Sequence, residues 1–264
     1  NGQLMTVTQG NGLVATVDGV DSRFDLMLND VSTSSNFEKG LSITTSNSSN
    51  VNPLVTDPMT MAMSRVTNTG TFVSTLNQEE GFYFDVQSGS TLAFNSVLGT
   101  TSNNGLGGNF SGVRGLVDGA GSAATVSFDN FSSNANTQDG FEFDVTNGGM
   151  FIGEVLSTLP VAPAFGQLSS ASNNMGAGIT LNAAGANTVA ALIMDGNNQV
   201  NNNMEEGLIV TATDIEQLAI QASGQFNMNQ GGDGIHITGT NVTTSAIEVG
   251  GGVSSASANF EDGV

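Results

Sequence analysis

A glycine followed by apolar residues at alternate positions recurs along the chain and is the strongest pattern in the sequence. Its clearest copies are Gly40–Ile43, Gly81–Phe84, Gly140–Phe143, Gly178–Leu181, Gly207–Val210 and Gly234–Ile237. Gly2 and Gly115 open weaker copies, and Gly263 begins one more. Because successive side chains of a strand point to opposite faces, this alternation predicts a half-buried β-strand after each glycine.

A second alternating segment follows each of these strands after a turn rich in Gly, Asn and Ser. Clear examples are Leu26–Leu28, Leu92–Phe94, Val126–Phe128, Leu218–Ile220 and Ile247–Val249. A weaker third segment, such as Phe226–Met228, precedes the next glycine. No helical periodicity separates the segments, so strand–helix–strand units are not expected. The irregular spacing of the glycines argues against the blades of a propeller.

The sequence therefore predicts an all-β fold, a right-handed parallel β-helix solenoid of about eight coils. The hand follows from the general rule for parallel crossovers. The repeat covers residues 1–264 as a single domain. Loop insertions are predicted near 46–60 and 157–175, because the prolines fall there and proline cannot donate to a strand ladder. Both ends lie in or beside a repeat, so we expect a fragment of a longer repeat protein or a filament subunit.

An asparagine stands four residues before most of the repeat glycines. The predicted structural positions are Asn36, Asn77, Asn136, Asn174, Asn203 and Asn259, together with Gly40, Gly81, Gly140, Gly178, Gly207 and Gly234. Equivalent positions of successive coils stack on one another, so these asparagines are expected to form a hydrogen-bonded ladder that sets the register. The alternative is that they bind a ligand.

The repeat Asn-x-x-x-Gly-apolar-x-apolar resembles the right-handed β-helix repeats of bacterial surface proteins and of pectin-lyase-like folds. The resemblance covers nearly the whole chain and is specific for architecture. It implies a surface, filament or adhesin role, or the processing of polysaccharides. It also implies an extracellular or cell-surface location.

The charge balance excludes two classes of partner. Lys and Arg number 4 against 24 Asp and Glu, for a formal net charge of −20. Nucleic acid and anionic membrane surfaces would be repelled. No apolar run approaches the ~20 residues that span a bilayer, so no membrane insertion is expected. Cysteine is absent, which excludes disulfide scaffolds and thiolate sites.

Acidic residues fill the turn before most repeat glycines. They are Glu38, Glu79, Glu80, Asp139, Glu205, Glu206, Asp233, Glu261 and Asp262. Carboxylates stacked about 5 Å apart repel one another, and bridging Ca²⁺ would relieve that repulsion. The alternative is that the acids point into water and keep the rod soluble. Calcium is the one cofactor the sequence suggests, although the Gly-Gly-x-Gly-x-Asp calcium repeat is missing.

Catalytic residues are not expected. His236 is the only histidine and lies at an outward position of its strand. Asp85 and Asp144 hold equivalent places in two repeats, with Glu142 nearby, as a weak candidate for glycoside hydrolysis. The chain has no Trp and a single Tyr, Tyr83, which argues against a long aromatic platform for sugars.

These observations predict a non-enzymatic extracellular structural protein, a segment of a fibre, surface layer or adhesin. It would be a rigid acidic rod stabilised by calcium if the turns bind it. The expected partners are copies of itself stacked head to tail or neighbouring repeats of the same chain. The alternative is a β-helix protein that binds or cleaves polysaccharides, with extracellular glycans as partners and lyase or hydrolase activity.

Overall fold

The computed structural model describes residues 10–19, 22–47, 64–157, 168–250 and 255, and every regular element among them is a β-strand. The strands are β1 (Leu13–Asp18), β2 (Asp25–Leu28), β3 (Val31–Ser34), β4 (Leu41–Ser46), β5 (Ser64–Thr75), β6 (Phe82–Gln87), β7 (Thr91–Ser102), β8 (Val113–Asp118), β9 (Ala123–Asp129), β10 (Phe131–Ser132), β11 (Phe141–Thr146), β12 (Met150–Ser157), β13 (Ile179–Ala184), β14 (Val189–Gly196), β15 (Leu208–Thr213), β16 (Gln217–Ala222), β17 (Ile235–Thr240) and β18 (Thr244–Val249). Among the described residues, no helix is long and apolar enough to cross a membrane.

The strands wind into a parallel β-solenoid of about seven turns. The first sheet has the order β1-β4-β6-β8-β11-β13-β15-β17, and these strands define coils 1 to 8. The second sheet runs β2-β5-β7-β9-β12-β14-β16-β18 in the same direction along the rod. The third side is thin: β3 and β10 pair with the later halves of β5 and β7, and single bridges continue from Ser132 to Ser255. The predicted parallel β-helix is therefore confirmed, including its two strong segments and one weak segment per coil.

The predicted loop insertions fall largely outside the described residues. Residues 48–60 of the first and 158–167 of the second are not described. The later part of the second range belongs to the coil itself, because the Ser170 N–H donates to the Phe131 carbonyl and the Ala171 N–H to the Gln199 carbonyl. The chain has thus rejoined the third side of the rod by Ser170.

Phenylalanines fill the core of coils 2 to 5. Phe82 stacks on Phe94 with ring centroids 4.5 Å apart, and Phe128 meets Phe141 edge-on at 5.3 Å. These rings come from the inward positions of the first and second sheets, as the alternation predicts. Burial of this apolar row is the main driving force for closing each coil.

Gly115 does not open a repeat, so the prediction that it begins a weaker copy of the pattern is wrong. It pairs with Phe84 and Phe143 at an inward position, where a Cβ atom would lie 2.0 Å from the Phe84 ring. The Phe84 ring occupies the space in the core that a side chain at position 115 would otherwise need. Gly112 opens this coil, because the Phe82 N–H donates to its carbonyl at 2.9 Å.

The glycines that open the strands are required by close approach between coils. The residue after each glycine donates its N–H to the carbonyl of the equivalent glycine in the next coil, as Ile179 does to Gly207 at 3.0 Å. A Cβ atom on Gly178 would lie 2.7 Å from that carbonyl oxygen and 2.8 Å from the Asn203 side-chain amide. No side chain fits there without moving the backbone. Gly12 opens the first described coil, and Gly2 lies outside the described residues.

The turn after the third side places one residue per coil in the left-handed region. These residues are Ser35, Leu76, Asn103, Ala135, Asn173, Asn202 and Met228, with φ between 55° and 60°. Asparagine tolerates this conformation better than other residues with a Cβ atom, because its short polar side chain bonds locally. Three coils therefore have the favoured asparagine at this left-handed position. Leu76, Ala135 and Met228 hold the same backbone conformation with side chains that disfavour it.

We expect Ala135→Asn to stabilise the protein by about 0.5–1 kcal/mol, because it relieves part of the left-handed strain at φ 55°. Ala135 is exposed, so the larger side chain has room. Urea unfolding followed by circular dichroism measures the change. Ala186→Asn, at an exposed alanine outside the left-handed set, is the matched control, and an equal gain there would contradict the explanation.

Candidate functional site

An asparagine ladder runs along one corner of the rod. Its members are Asn36, Asn77, Asn104, Asn136, Asn174, Asn203 and Asn229. From Asn77 onward, each side-chain oxygen accepts two bonds from the asparagine of the preceding coil. Asn174 Oδ1, for example, accepts from the N–H of Asn136 at 3.0 Å and from its Nδ2 at 3.1 Å. The same two bonds join every successive pair.

The ladder amides from Asn77 to Asn203 have no hydrogen-bonding capacity left for a ligand. A side-chain amide offers two donors and two acceptor lone pairs. The oxygen of Asn174 uses both lone pairs, and its Nδ2 donates to the Ser133 carbonyl and to Asn203 Oδ1. From Asn77 to Asn229 the side chains are essentially inaccessible to solvent. The ladder geometry therefore favours the structural interpretation of these residues over ligand binding.

Two members of the ladder, Asn104 and Asn229, were missed from the sequence. They stand eight and five residues before their glycines, so a fixed interval of four does not find them. A Ser, Thr or Asn stands two residues before every ladder asparagine, but the same spacing also precedes Asn103 and Asn182, which lie outside the ladder. Asn259 lies outside the described residues.

The acidic turn residues do not form an unbroken column. The residue just before each strand-opening glycine stacks on its equivalents, in the order Lys39, Glu80, Ser111, Asp139, Ala177, Glu206 and Asp233. Neutral or basic residues therefore separate most of the acids. Glu206 and Asp233 are the one pair of acids in neighbouring coils of this row within the described residues. Glu261 and Asp262 lie outside them.

Arg114, on the outer face of the first sheet, forms ion pairs with three carboxylates. Its guanidinium nitrogens lie 3.9 Å from Glu80, 3.6 Å from Glu142 and 3.4 Å from Asp144. Ser111 donates a further bond of 2.7 Å to Glu142. Glu80 is only 2% exposed, and burial raises its pKa against the opposing effect of Lys39. Lys39 and Arg114 are 75 positions apart in the sequence, but coil stacking brings both to Glu80.

Lys39 and Tyr83 lie beside this cluster. The Lys39 ammonium sits 4.9 Å from the Tyr83 ring centroid and forms an ion pair with Glu79. Burial, followed by the neighbouring Asp85, raises the pKa of the Tyr83 hydroxyl. Burial also raises the pKa of Asp85. Asp85 and Asp144 occupy the same row with Leu116 between them, so they are two coils apart and do not form a close carboxylate pair.

Asp139 is the most perturbed acid among the described residues. Its side chain is 5% exposed and accepts a bond of 2.8 Å from the Ala177 N–H. Burial raises the pKa of Asp139 to about 7, although bonds from Thr180 and the Ala177 N–H oppose the rise. Its charge therefore changes near neutral pH.

The remaining turn acids, Glu38, Glu205, Glu206 and Asp233, are exposed or partly exposed. Glu38 accepts a bond from the Asn11 amide, and Glu205 is exposed. His236 lies half-exposed between Asp233 at 2.9 Å and Thr238 at 3.0 Å. Within the described residues, no group of three or more Asp, Glu or His side chains has the geometry to hold a metal ion.

No family model, no curated protein and no solved structure matches this chain. The fold and the side-chain geometry are therefore the basis for assigning a function.

Proposed function

We propose that this chain is a segment of an extracellular structural protein, such as a fibre, surface layer or adhesin, in which it acts as a rigid acidic rod. The observation that carries the proposal is the asparagine ladder, which links seven coils and is buried from Asn77 onward. Polar networks of this kind fix a unique register when every member is satisfied. Together with the continuous phenylalanine core, the ladder supplies stiffness along the rod axis.

The charge distribution also supports the proposal of a solvent-exposed structural rod. A net charge of −20 keeps rods apart in solution and is tolerated where salt or divalent cations screen it. Lys39 and Arg114 are already paired with acids, so their charges do not offset the Asp and Glu side chains elsewhere on the rod. Calcium remains part of the proposal as a bridging ion between neighbouring turn acids such as Glu206 and Asp233.

Polysaccharide binding or cleavage is the second candidate. It is favoured by Tyr83, which lies on the outer face of the first sheet beside Asp85 and Arg114. The flat face of an aromatic ring can pack on a sugar ring, and neighbouring carboxylates and a guanidinium can bond its hydroxyls. The mutual pairing of Lys39, Arg114 and their acids makes this candidate weaker, because these groups are engaged with each other.

We expect electron microscopy of the purified chain to show thin rods that associate end to end. If calcium bridges the turns, about 1 mM CaCl₂ will raise the midpoint of thermal unfolding and a chelator will reverse the rise. Magnesium at the same concentration is the control for general screening. Compact particles in place of rods would contradict the structural proposal. Glycan cleavage or binding that Tyr83→Ala abolishes would support the second candidate instead.

A further inference from the structure

The corner that carries the asparagine ladder also carries a row of exposed apolar side chains, which we call the apolar ridge. Its members are Phe37, Leu76, Leu106, Met175, Met204 and Met228. Each lies within two residues of a ladder asparagine. The described residues include eleven exposed large apolar side chains, and six of them belong to this ridge. Apolar exposure is thus concentrated on one edge of the rod rather than scattered.

Three methionines of the ridge lie close together on this corner, and we call them the methionine strip. The Met175 N–H donates to the Asn136 carbonyl and the Met204 N–H to the Asn174 carbonyl, which places these two residues in one row of neighbouring coils. Gln230 continues that row, because its N–H donates to the Asn203 carbonyl, and Met228 lies in the same coil on the other side of Asn229. The exposed fractions of Met175, Met204 and Met228 are 61%, 55% and 49%, and coils are about 4.8 Å apart. The methionine strip therefore follows one row for two coils and then crosses the corner diagonally to Met228.

Backbone conformation opposes two of these side chains. Met228 and Leu76 occupy the left-handed turn position, with φ of 58° and 59°, where Asn103, Asn173 and Asn202 serve in other coils. A large apolar residue there adds backbone strain and exposes apolar surface at the same time. Strain retained at an exposed site points to a function outside the fold.

Negative charge borders the methionine strip. Exposed Glu205 directly follows Met204, and Glu206 comes next. A second copy of this chain could not neutralise these acids, since it has 4 basic residues against 24 acidic ones. Anionic membranes would be repelled. The complementary partner is therefore apolar on one face and basic beside it.

We propose that the apolar ridge binds a basic amphipathic helix of another protein. Its apolar face would lie on Met175, Met204 and Met228, and its Lys or Arg side chains would reach Glu205 and Glu206. Methionine suits this contact because its flexible, polarisable side chain adapts to different apolar surfaces. Recognition of a helix through anchors one turn apart is an established mode of peptide binding.

A synthetic 18-residue Leu/Lys amphipathic peptide is the probe, titrated into the full chain by calorimetry. The triple variant Met175→Gln, Met204→Gln and Met228→Gln is expected to weaken binding by about tenfold or more. The control is Met27→Gln with Met150→Gln, two exposed methionines away from the ridge, which should change affinity by less than about twofold. Glu205→Lys with Glu206→Lys is expected to weaken binding as well.

Equal affinity of the ridge variant and the control would mean that the peptide responds to net charge alone, which would overturn the proposal. Absence of peptide binding would do the same. Ridge-dependent binding of phosphatidylcholine vesicles without peptide binding would assign the ridge to a lipid surface instead. Far-ultraviolet circular dichroism of each variant verifies that the solenoid is intact.

Discussion

Replacing Asn174 with alanine is expected to lower the free energy of unfolding by about 3–5 kcal/mol. The substitution leaves the buried N–H and Nδ2 of Asn136 without their acceptor and removes the bonds from Asn174 to the Ser133 carbonyl and Asn203. Each unsatisfied buried donor costs about 1–3 kcal/mol. Urea unfolding followed by circular dichroism measures the loss.

Asn182→Ala is the matched control for this substitution. Asn182 lies on the outer face of the next strand, half-buried, and makes one side-chain bond of 3.1 Å to Asp144. We expect its loss to cost under about 1 kcal/mol. Comparable losses at the two positions would show that the ladder contributes no more than any asparagine on the rod. Hydrogen exchange at the Asn136 and Asn203 amides then locates the damage to neighbouring coils.

The second large effect is a pH dependence that centres on Asp139. Its pKa of about 7 in the fold exceeds the ordinary value of 3.8, so the folded protein binds its proton more tightly than the unfolded chain does. Stability from this group is complete below about pH 4 and is lost as pH rises to about 7. The loss amounts to at most about 4 kcal/mol.

Asp139→Asn is expected to remove this slope. The amide oxygen still accepts the bond from the Ala177 N–H, and no charge is buried at high pH. The variant should match the parent near pH 4 and exceed its stability by a few kcal/mol at pH 8. Asp139→Ala, which loses the acceptor, should be less stable than Asp139→Asn at both values. A constant difference between Asp139→Asn and the parent across this range would refute a buried, titrating carboxyl.

The fold could be predicted because its signal is local and repeated. The alternation after Gly81 or Gly140 specifies a strand with one apolar face, and its recurrence specifies stacking. The error at Gly115 has a physical reason. A glycine that precedes a strand and a glycine that makes room for the Phe84 ring look alike in sequence, because what distinguishes them is the side chain of another coil.

The candidate sites were harder to predict than the fold, because they depend on contacts between side chains of different coils. The asparagine corner was foreseen, but Asn104 and Asn229 were missed because the loops between ladder and glycine vary in length. The ion pairs of Arg114 with Glu80 and Asp144 could not be foreseen, since these contacts depend on how neighbouring coils are aligned. The apolar ridge was not predicted, because an apolar residue stands beside the ladder asparagine in only some coils and its exposure depends on the fold.

The sequence by itself determined the architecture, the stacking asparagines and the acidic character of the rod, since each is encoded within a single repeat. Only the tertiary structure decided which acids are buried, which cations neutralise them and which apolar side chains remain exposed. Those properties arise between coils, where residues some 30 positions apart come within about 5 Å. The pKa of Asp139 and the exposure of the methionines are therefore consequences of register rather than of any local motif.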